Sequence, residues 1–179
     1  MKLYLIRHAK VNMDWSKKCN SVEFDRACKQ YDMAEIVEVN KFEKEIDSKK
    51  IYVSNLHRSL KTAQALFPGN EYHEINIEEV PLKAYKDSTV HIPLWIWNIM
   101  GRIQWYFNNK RQDETRYETI NRSMYVIKEL ENINENCVIV THGFFLKIFI
   151  SCLKKQGYSL SGNKKMKFSN LQLIVAEKT

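Results

Sequence analysis

The chain has 179 residues and a mass of 21.3 kDa, a size that argues for one domain rather than two. With 44% hydrophobic residues, five Gly and three Pro, its composition excludes collagen-like, low-complexity and disordered proteins. The formal net charge is +7, which indicates an anionic partner and leaves nucleic acid, an anionic membrane and a small phosphorylated substrate all open.

Hydrophobic periodicity and turn residues predict strands that alternate with helices. The predicted strands, in chain order, are Lys2–Ile6, Ile51–Ser54, Ile75–Val80, Cys137–Thr141 and Leu171–Ala176. The predicted helices are two between Val22 and Ile46 with a break near Tyr31-Asp32, then Leu56–Phe67, an aromatic segment His91–Phe107, Glu114–Leu130 with Tyr117 on its apolar face, and Gly143–Leu153. This alternation predicts an α/β fold with a mostly parallel sheet, and ligands usually bind at the carboxyl ends of such strands.

Targeting, membrane and disulfide signals are missing from the sequence. The apolar run before Arg7 is too short for the core of a signal peptide, and no stretch approaches the ~20 apolar residues that span a bilayer. The four cysteines form no C-x-x-C pair and no metal-ligand spacing. We therefore expect a cytoplasmic protein without a membrane span, a disulfide or a structural zinc.

Reactive side chains follow three of the predicted strands. Arg7 and His8 end the first strand, Arg58 lies one turn into the helix after the second, and His142 and Gly143 follow the fourth. Because the carboxyl ends of parallel strands share one edge of a sheet, these residues are expected to converge. Arginine guanidinium groups match phosphate oxygens with two parallel hydrogen bonds, which favours a phosphate site.

The residue types at this edge suggest how a phosphate ester would be cleaved. His8 can act as a nucleophile through a neutral ring nitrogen, and His142, if cationic, would stabilise charge. An acid must still protonate the leaving oxygen, and Glu78 and Glu79 are the candidates near the end of the third predicted strand.

Three motifs together resemble the histidine phosphatase superfamily, also called the phosphoglycerate-mutase-like family. They are Leu5-Ile6-Arg7-His8-Ala9, then Ser54-Asn55-Leu56-His57-Arg58-Ser59-Leu60-Lys61-Thr62-Ala63, and Val140-Thr141-His142-Gly143. The resemblance implies a three-layer α/β/α sandwich, with His8 as the phosphorylated nucleophile and Arg7, Arg58 and His142 around the phosphate. It also favours Glu79 over Glu78 as the general acid, because Ile77-Glu78-Glu79-Val80 fits the family's Leu-x-Glu-hydrophobic pattern.

The sequence departs from the family pattern directly after the nucleophile. Ala9, Lys10 and Val11 stand where the family usually has Gly, Glu and Thr, and the family's nearby Asn has no clear counterpart. Lys10 adds positive potential at the mouth of the pocket. We expect Lys10 and Gly143 to contact the substrate together with Arg7, Arg58 and His142.

An aromatic helical insert is predicted at about 88–112, within a single domain that spans residues 1–179. Its densest part, Leu94 to Phe107, is interpreted first as a helix that is buried against the sheet or that covers the cleft. It would alternatively line the substrate pocket, or form a homodimer or membrane-surface contact. Arg102 would then be either a solvated helix residue, the favoured interpretation, or a contact to a substrate anion.

These observations predict a metal-independent phosphomonoesterase of the histidine acid phosphatase type, without a cofactor. It would hydrolyse a small anionic phosphorylated metabolite through a phosphohistidine intermediate. Alternatives are a phosphoglycerate-mutase-type phosphoryl transfer and a non-catalytic phospholigand-binding module on the same scaffold. Nucleic-acid binding is not favoured, because the lysine pairs are scattered and no nucleic-acid motif accompanies them.

Overall fold

The computed structural model describes residues 1–39, 46, 48–162 and 168–178. Its strands are β1 (Lys2–Arg7), β2 (Lys18–Cys19), β3 (Ile51–Val53), β4 (Tyr72–Glu74), β5 (Ile92–Pro93), β6 (Cys137–Thr141), β7 (Ser159–Ser161) and β8 (Leu173–Glu177). Its helices are α1 (Ser21–Met33), α2 (His57–Leu66), α3 (Leu94–Tyr106), α4 (Arg116–Ile133) and α5 (Gly143–Lys155).

Six of the strands form one sheet in the order β4-β3-β6-β1-β8-β7. Strands β4, β3, β6 and β1 are parallel neighbours, whereas β8 runs antiparallel to both β1 and β7. Apolar side chains occupy both faces of the central strands, as is typical of a sheet covered on both sides. The predicted α/β fold with a mostly parallel sheet is confirmed.

Helices cover both faces of this sheet. On one face, Leu3 and Leu5 of β1 belong to a core cluster with residues of α4 and α5, among them Ile127 and Phe149. On the other face, Ile6 clusters with residues of α2, and α1 packs beside α2. Alternate residues of β1 therefore serve opposite layers, which gives the three-layer α/β/α arrangement.

The predicted third strand was wrong in its position. The strand at this edge is Tyr72–Glu74. Its pairing with β3 ends at the hydrogen bond that the Ile75 N–H donates to the Val53 carbonyl at 3.0 Å. Strand β3 has only three residues, so it offers no further partner to the chain beyond Ile75. Residues 76–81 are irregular, although the side chains of Ile77 and Val80 are buried in the core.

The predicted second helix after Tyr31-Asp32 was also wrong over the described residues. Helix α1 continues to Met33, and Ala34 then adopts extended backbone angles (φ −72°, ψ 146°). Ile36 forms an isolated antiparallel bridge with Val11 instead of a helical turn. Residues 40–45 of that prediction lie outside the described part of the chain.

Two smaller expectations also need correction. Tyr117 is not on the buried face of α4, since its side chain is exposed; the buried positions are Thr119, Ser123, Val126, Ile127 and Leu130. The last strand begins at Leu173 because Leu171 adopts a positive φ of 58°, and strand β7 was not predicted at all.

Helix α3 carries the predicted aromatic segment and is buried on one side. Trp97 is fully buried between Phe24 and Tyr85, and its indole N–H donates to the Cys19 carbonyl at 2.9 Å. Trp105 is buried in the main core and packs edge-on against Phe144. The interpretation of α3 as a packed helix is therefore correct for this side.

The opposite side of α3 presents an exposed apolar stripe with helical spacing. Its members are Trp95, Ile99, Ile103 and Phe107. The homodimer through this segment stays a prediction, as do the single-domain organisation and the cytoplasmic location. Within the described ranges, no helix is both long and apolar enough to cross a membrane.

Two tryptophans of α3 provide a matched test of how this helix is held. We expect Trp97→Ala to lower the free energy of unfolding by about 3–5 kcal/mol, because it removes a buried ring and leaves a cavity. Trp95→Ala should change it by less than about 0.5 kcal/mol, because that ring is 61% exposed. Urea unfolding measures both values, and equal losses in the two variants would contradict the assigned orientation of α3.

Candidate active site

The reactive residues predicted from the sequence converge at one edge of the sheet. In the sheet register, Arg7 lies opposite Thr141 and Val53 lies opposite Val140, so the carboxyl ends of β1, β6 and β3 are adjacent. The chain leaves these ends at His8, His142 and Ser54, respectively. The ring centroids of His8 and His142 are 5.0 Å apart.

His8 is buried, and of its two ring nitrogens only Nδ1 has a hydrogen-bond partner among the described residues. Its Nδ1–H donates to the Ala9 carbonyl at 2.6 Å, which leaves the lone pair on Nε2. Burial is the largest cause that lowers the pKa of His8, to about 3, and the Arg58 charge adds to it against the opposing hydrogen bond to Ala9. His8 is therefore a neutral imidazole at physiological pH.

The loop that carries His8 is fixed through its backbone. The His8 N–H donates to the Thr141 carbonyl at 2.9 Å, and the Ala9 N–H donates to Thr62 Oγ1 at 2.9 Å. Thr62 in turn donates to the Arg58 carbonyl at 2.6 Å. The Thr of the Ser-x-x-x-Arg-x-x-x-Thr motif thus connects the nucleophile loop to the helix that carries the arginine. Ala9 is buried and leaves this bond intact in place of the usual Gly.

Arg58 is fully buried, and its hydrogen bonds hold the guanidinium at the site. Its Nε–H donates to His142 Nδ1 at 3.1 Å, and its Nη1 donates to Asp32 Oδ1 at 2.9 Å. Nη2 is buried and has no hydrogen-bond partner among the described residues. A guanidinium nitrogen in that position is an open donor for an anion.

His142 is held as a neutral ring rather than as a cation. Since the Nε–H of Arg58 can only donate, Nδ1 of His142 must accept, and the ring proton sits on Nε2, 2.7 Å from Ser54 Oγ. Burial, followed by the charge of Arg58, places the pKa of His142 well below its usual value. The condition under which His142 was expected to stabilise charge, that its ring is cationic, is not met in this geometry.

Arg7 provides a second guanidinium at the site, and the absence of a side chain at Gly143 leaves room for it. Its Nη1 donates to the Phe168 carbonyl at 2.6 Å, whereas Nε is buried with no partner in the described part of the chain. A Cβ at Gly143 would lie 2.9 Å from Arg7 Nε and 3.0 Å from its Cζ. Gly143 therefore has a steric role beside Arg7, in addition to the substrate contact predicted for it from the sequence.

The two candidate acids occupy different environments. The Glu79 carboxylate sits at the N-terminus of α5, where it accepts from the N–H groups of Phe144 (3.1 Å) and Phe145 (2.8 Å), and from that of Val80 (3.0 Å). Glu78 instead lies 3.5 Å from Arg122. Glu79 is thus adjacent to the strand end that carries His142, as the choice made from the sequence requires.

A cleft of about 830 Å³ opens beside Arg58 and Glu79, whereas Arg7, His8 and His142 are not among the residues that line it. Arg58, Glu78 and Glu79 line it, and so do Asn98 and Arg102 of α3. The second interpretation of the aromatic segment, that it lines the pocket, is therefore met by two polar residues of α3 rather than by its aromatic rings. Lys10 is exposed and lies outside the residues that line this cleft.

Several residues around the site were not predicted from the sequence. Asp32 pairs with Arg58, Asn170 donates to the His8 carbonyl at 2.8 Å, and Arg122 contacts Glu78. Each of them contacts a residue at least 26 positions away in the sequence, so no local motif spacing predicts the contact. Ser54 and Thr62 were present in the recognised motif, and their hydrogen bonds now give them a physical role.

Several solved structures are similar to this chain in fold. A mutant phosphoserine phosphatase from Entamoeba histolytica, in complex with phosphoserine, has a TM-score of 0.55 at 18% identity, over 97% of this chain and 89% of that chain. The same enzyme with 3-phosphoglyceric acid gives 0.54 at 19% identity, with the same coverage of both chains. YhfR from Bacillus stearothermophilus gives 0.52 at 16% identity, over 86% of this chain and 80% of that chain. At these identities the likeness shows a shared fold.

No curated protein matches the chain. The family model described as histidine phosphatase superfamily (branch 1) matches residues 3–179. This range contains all the described helices and strands except Lys2, the first residue of β1. Together with the convergence of the three motifs at one sheet edge, this match shows that the chain belongs to the histidine phosphatase superfamily.

Proposed function

We propose that this protein is a phosphomonoesterase that works through a phosphohistidine at His8. The observation that carries the proposal is the free Nε2 of a neutral, buried histidine beside two guanidinium groups with open donors. A neutral imidazole nitrogen is nucleophilic, and the arginine donors suit the equatorial oxygens of a transferring phosphoryl group.

In the first step, Arg7 and Arg58 bind the phosphate and Nε2 of His8 attacks phosphorus. The bond between phosphorus and the ester oxygen breaks, and protonated Glu79 donates its proton to the leaving oxygen, which departs as an alcohol. The ring of His8 becomes N-phosphorylated, and its Nδ1–H bond to the Ala9 carbonyl disperses the positive charge that develops.

In the second step, the Glu79 carboxylate takes a proton from water as the water oxygen attacks the phosphohistidine. The N–P bond breaks, inorganic phosphate leaves and His8 returns to its neutral state. His142 transfers no proton in this scheme, because its Nε2–H is directed at Ser54 Oγ. Its bonds to Arg58 and Ser54 make it the residue that orients the Arg58 guanidinium.

The substrate that we propose is a small phosphorylated metabolite, because a cleft of about 830 Å³ suits a small molecule. We also propose that the reaction needs no metal ion and is of the acid phosphatase type, with the exposed Lys10, which does not line the cleft, attracting the substrate through its charge. Mutase activity or phospholigand binding without turnover would use the same residues, and the experiments below separate them.

Removal of the nucleophile is the most direct test. We expect His8→Ala to lower kcat at least on the order of 10³-fold on a panel of phosphomonoesters assayed with EDTA, because no phosphohistidine can form. Phosphate release by the wild type under the same conditions distinguishes a phosphatase from a mutase or a binding module. Undiminished turnover by His8→Ala would contradict the assigned nucleophile, and loss of wild-type turnover with EDTA would contradict metal independence.

Glu79 is tested through the leaving group. Glu79→Gln should lower kcat/KM for an alkyl phosphate on the order of 10² to 10⁴-fold, because an alkoxide needs protonation to depart. It should affect p-nitrophenyl phosphate far less, because p-nitrophenolate leaves without an acid. Glu78→Gln is the matched control and should affect both substrates alike; the opposite result for the two variants would transfer the role to Glu78.

The neutral state of His8 also predicts how stability depends on pH. In the unfolded chain His8 has an ordinary pKa near 6.5, so between pH 6.5 and about 3 the unfolded state binds more protons than the folded one. The free energy of unfolding should fall as the pH is lowered from 7 to 5, by on the order of 2 kcal/mol from His8 alone. His8→Asn, whose amide can still donate to Ala9, should show a smaller fall in urea unfolding at these pH values, and an identical fall would contradict a neutral His8.

A further inference from the structure

Glu79 lies on a segment without regular secondary structure, residues 76–81, between β4 and β5. No ladder or helix hydrogen bonds fix this backbone. An acid must nevertheless stay within a few tenths of an ångström of the ester oxygen that it protonates. Other contacts must therefore hold the segment in place.

Arg102 of α3 holds the C-terminal half of the segment. Its Nη2 donates to the Val80 carbonyl at 3.0 Å and its Nη1 to the Pro81 carbonyl at 3.4 Å. The same guanidinium lies 3.8 Å from the centroid of the Phe144 ring. Arg102 thus joins the backbone just after Glu79 to the first turn of α5.

Arg122 of α4 holds the N-terminal half in the same manner. Its Nη1 donates to the carbonyls of Asn76 and Glu78, both at 3.2 Å, and its guanidinium lies 4.5 Å from the Phe145 ring centroid. It also binds Glu114 through two hydrogen bonds, of 3.1 and 2.9 Å.

The two aromatic rings belong to the residues whose backbone binds the acid. The N–H groups of Phe144 and Phe145 donate to the two carboxylate oxygens of Glu79. Each arginine therefore connects the backbone on one side of Glu79 to a residue that also binds its side chain. We propose that Arg102 and Arg122 form an arginine bracket, a pair of positioning residues that sets where Glu79 delivers its proton.

The two arginines of the bracket differ in whether a carboxylate neutralises their charge. Arg122 is neutralised by Glu114 and Glu78, whereas Arg102 makes no ion pair with a carboxylate in the described ranges. Burial lowers the pKa of the Arg102 guanidinium, and the negative charge of Glu79 opposes that shift. Arg102 is consequently the arm whose loss most directly changes the surroundings of the acid.

This inference rests on the proposed role of Glu79 as the general acid. A comparison of substrates with poor and good leaving groups distinguishes failure of the inference from failure of that proposed role. We expect Arg102→Met to lower kcat/KM on the order of 10²-fold for glycerol phosphate, an alkyl phosphate, and by less than about 3-fold for p-nitrophenyl phosphate. Arg122→Met should show the same discrimination. Arg102→Lys, which keeps the charge and the aliphatic stem, should recover part of the activity on glycerol phosphate and serves as the test if Arg102→Met does not fold.

Arg111 provides the matched control within the same insert. Its Nε donates to the Ala84 carbonyl at 2.8 Å and it pairs with Asp87, so it binds neighbouring backbone without touching residues 76–81. Arg111→Met should leave both substrates unaffected. Equal losses on the two substrates in both bracket variants would overturn the inference. Absence of discrimination in Glu79→Gln itself would instead overturn the role of Glu79 in the proposed function.

Discussion

The hydrogen bond from Arg58 Nε to His142 Nδ1 is the interaction on which the site depends. It places a fully buried cation against a neutral ring, where a second cation would be repelled. One carboxylate, that of Asp32, balances Arg58 at its outer edge, and Nη2 keeps an open donor. A buried cation is costly unless it is paired, so the phosphate anion that we propose as ligand would satisfy the donor that the protein leaves open.

The positive charge of the protein as a whole is not the basis of the proposed affinity for phosphate. More carboxylates than basic side chains line the cleft, although the chain carries a net charge of +7. The acidic lining residues are Asp25, Asp32, Glu78, Glu79, Asp113, Glu114 and Glu118, and the basic ones are Lys29, Arg58, Lys83, Arg102 and Arg122. The attraction for phosphate that we propose would thus be local to Arg7 and Arg58, and salt that screens the surface lysines should affect it weakly.

Features encoded in contiguous residues could be predicted from the sequence, and those made by distant residues could not. The strands β1 and β6 are unbroken apolar runs, and the residues directly after them, His8 and His142, were placed correctly at one edge. Strand β4 was misplaced because it is a short polar edge strand, Tyr72–Glu74, whereas the more apolar residues that follow it enter the core as irregular backbone. Asp32 and Arg122 act on residues 26 and 44 positions away, where periodicity carries no information.

The role of α3 likewise depends on contacts between residues that are distant in sequence, and its aromatic composition alone does not indicate that role. Trp97 and Trp105 bury one side of this helix and fix its position, and Asn98 and Arg102 thereby reach the cleft. A change in the packing of α3 would move both Asn98, which lines the cleft, and Arg102, which holds the backbone beside Glu79, because both residues lie on this one helix. Under the proposed function, we therefore expect substrate preference and proton delivery to be coupled through α3, so that a substitution that alters one also changes the other.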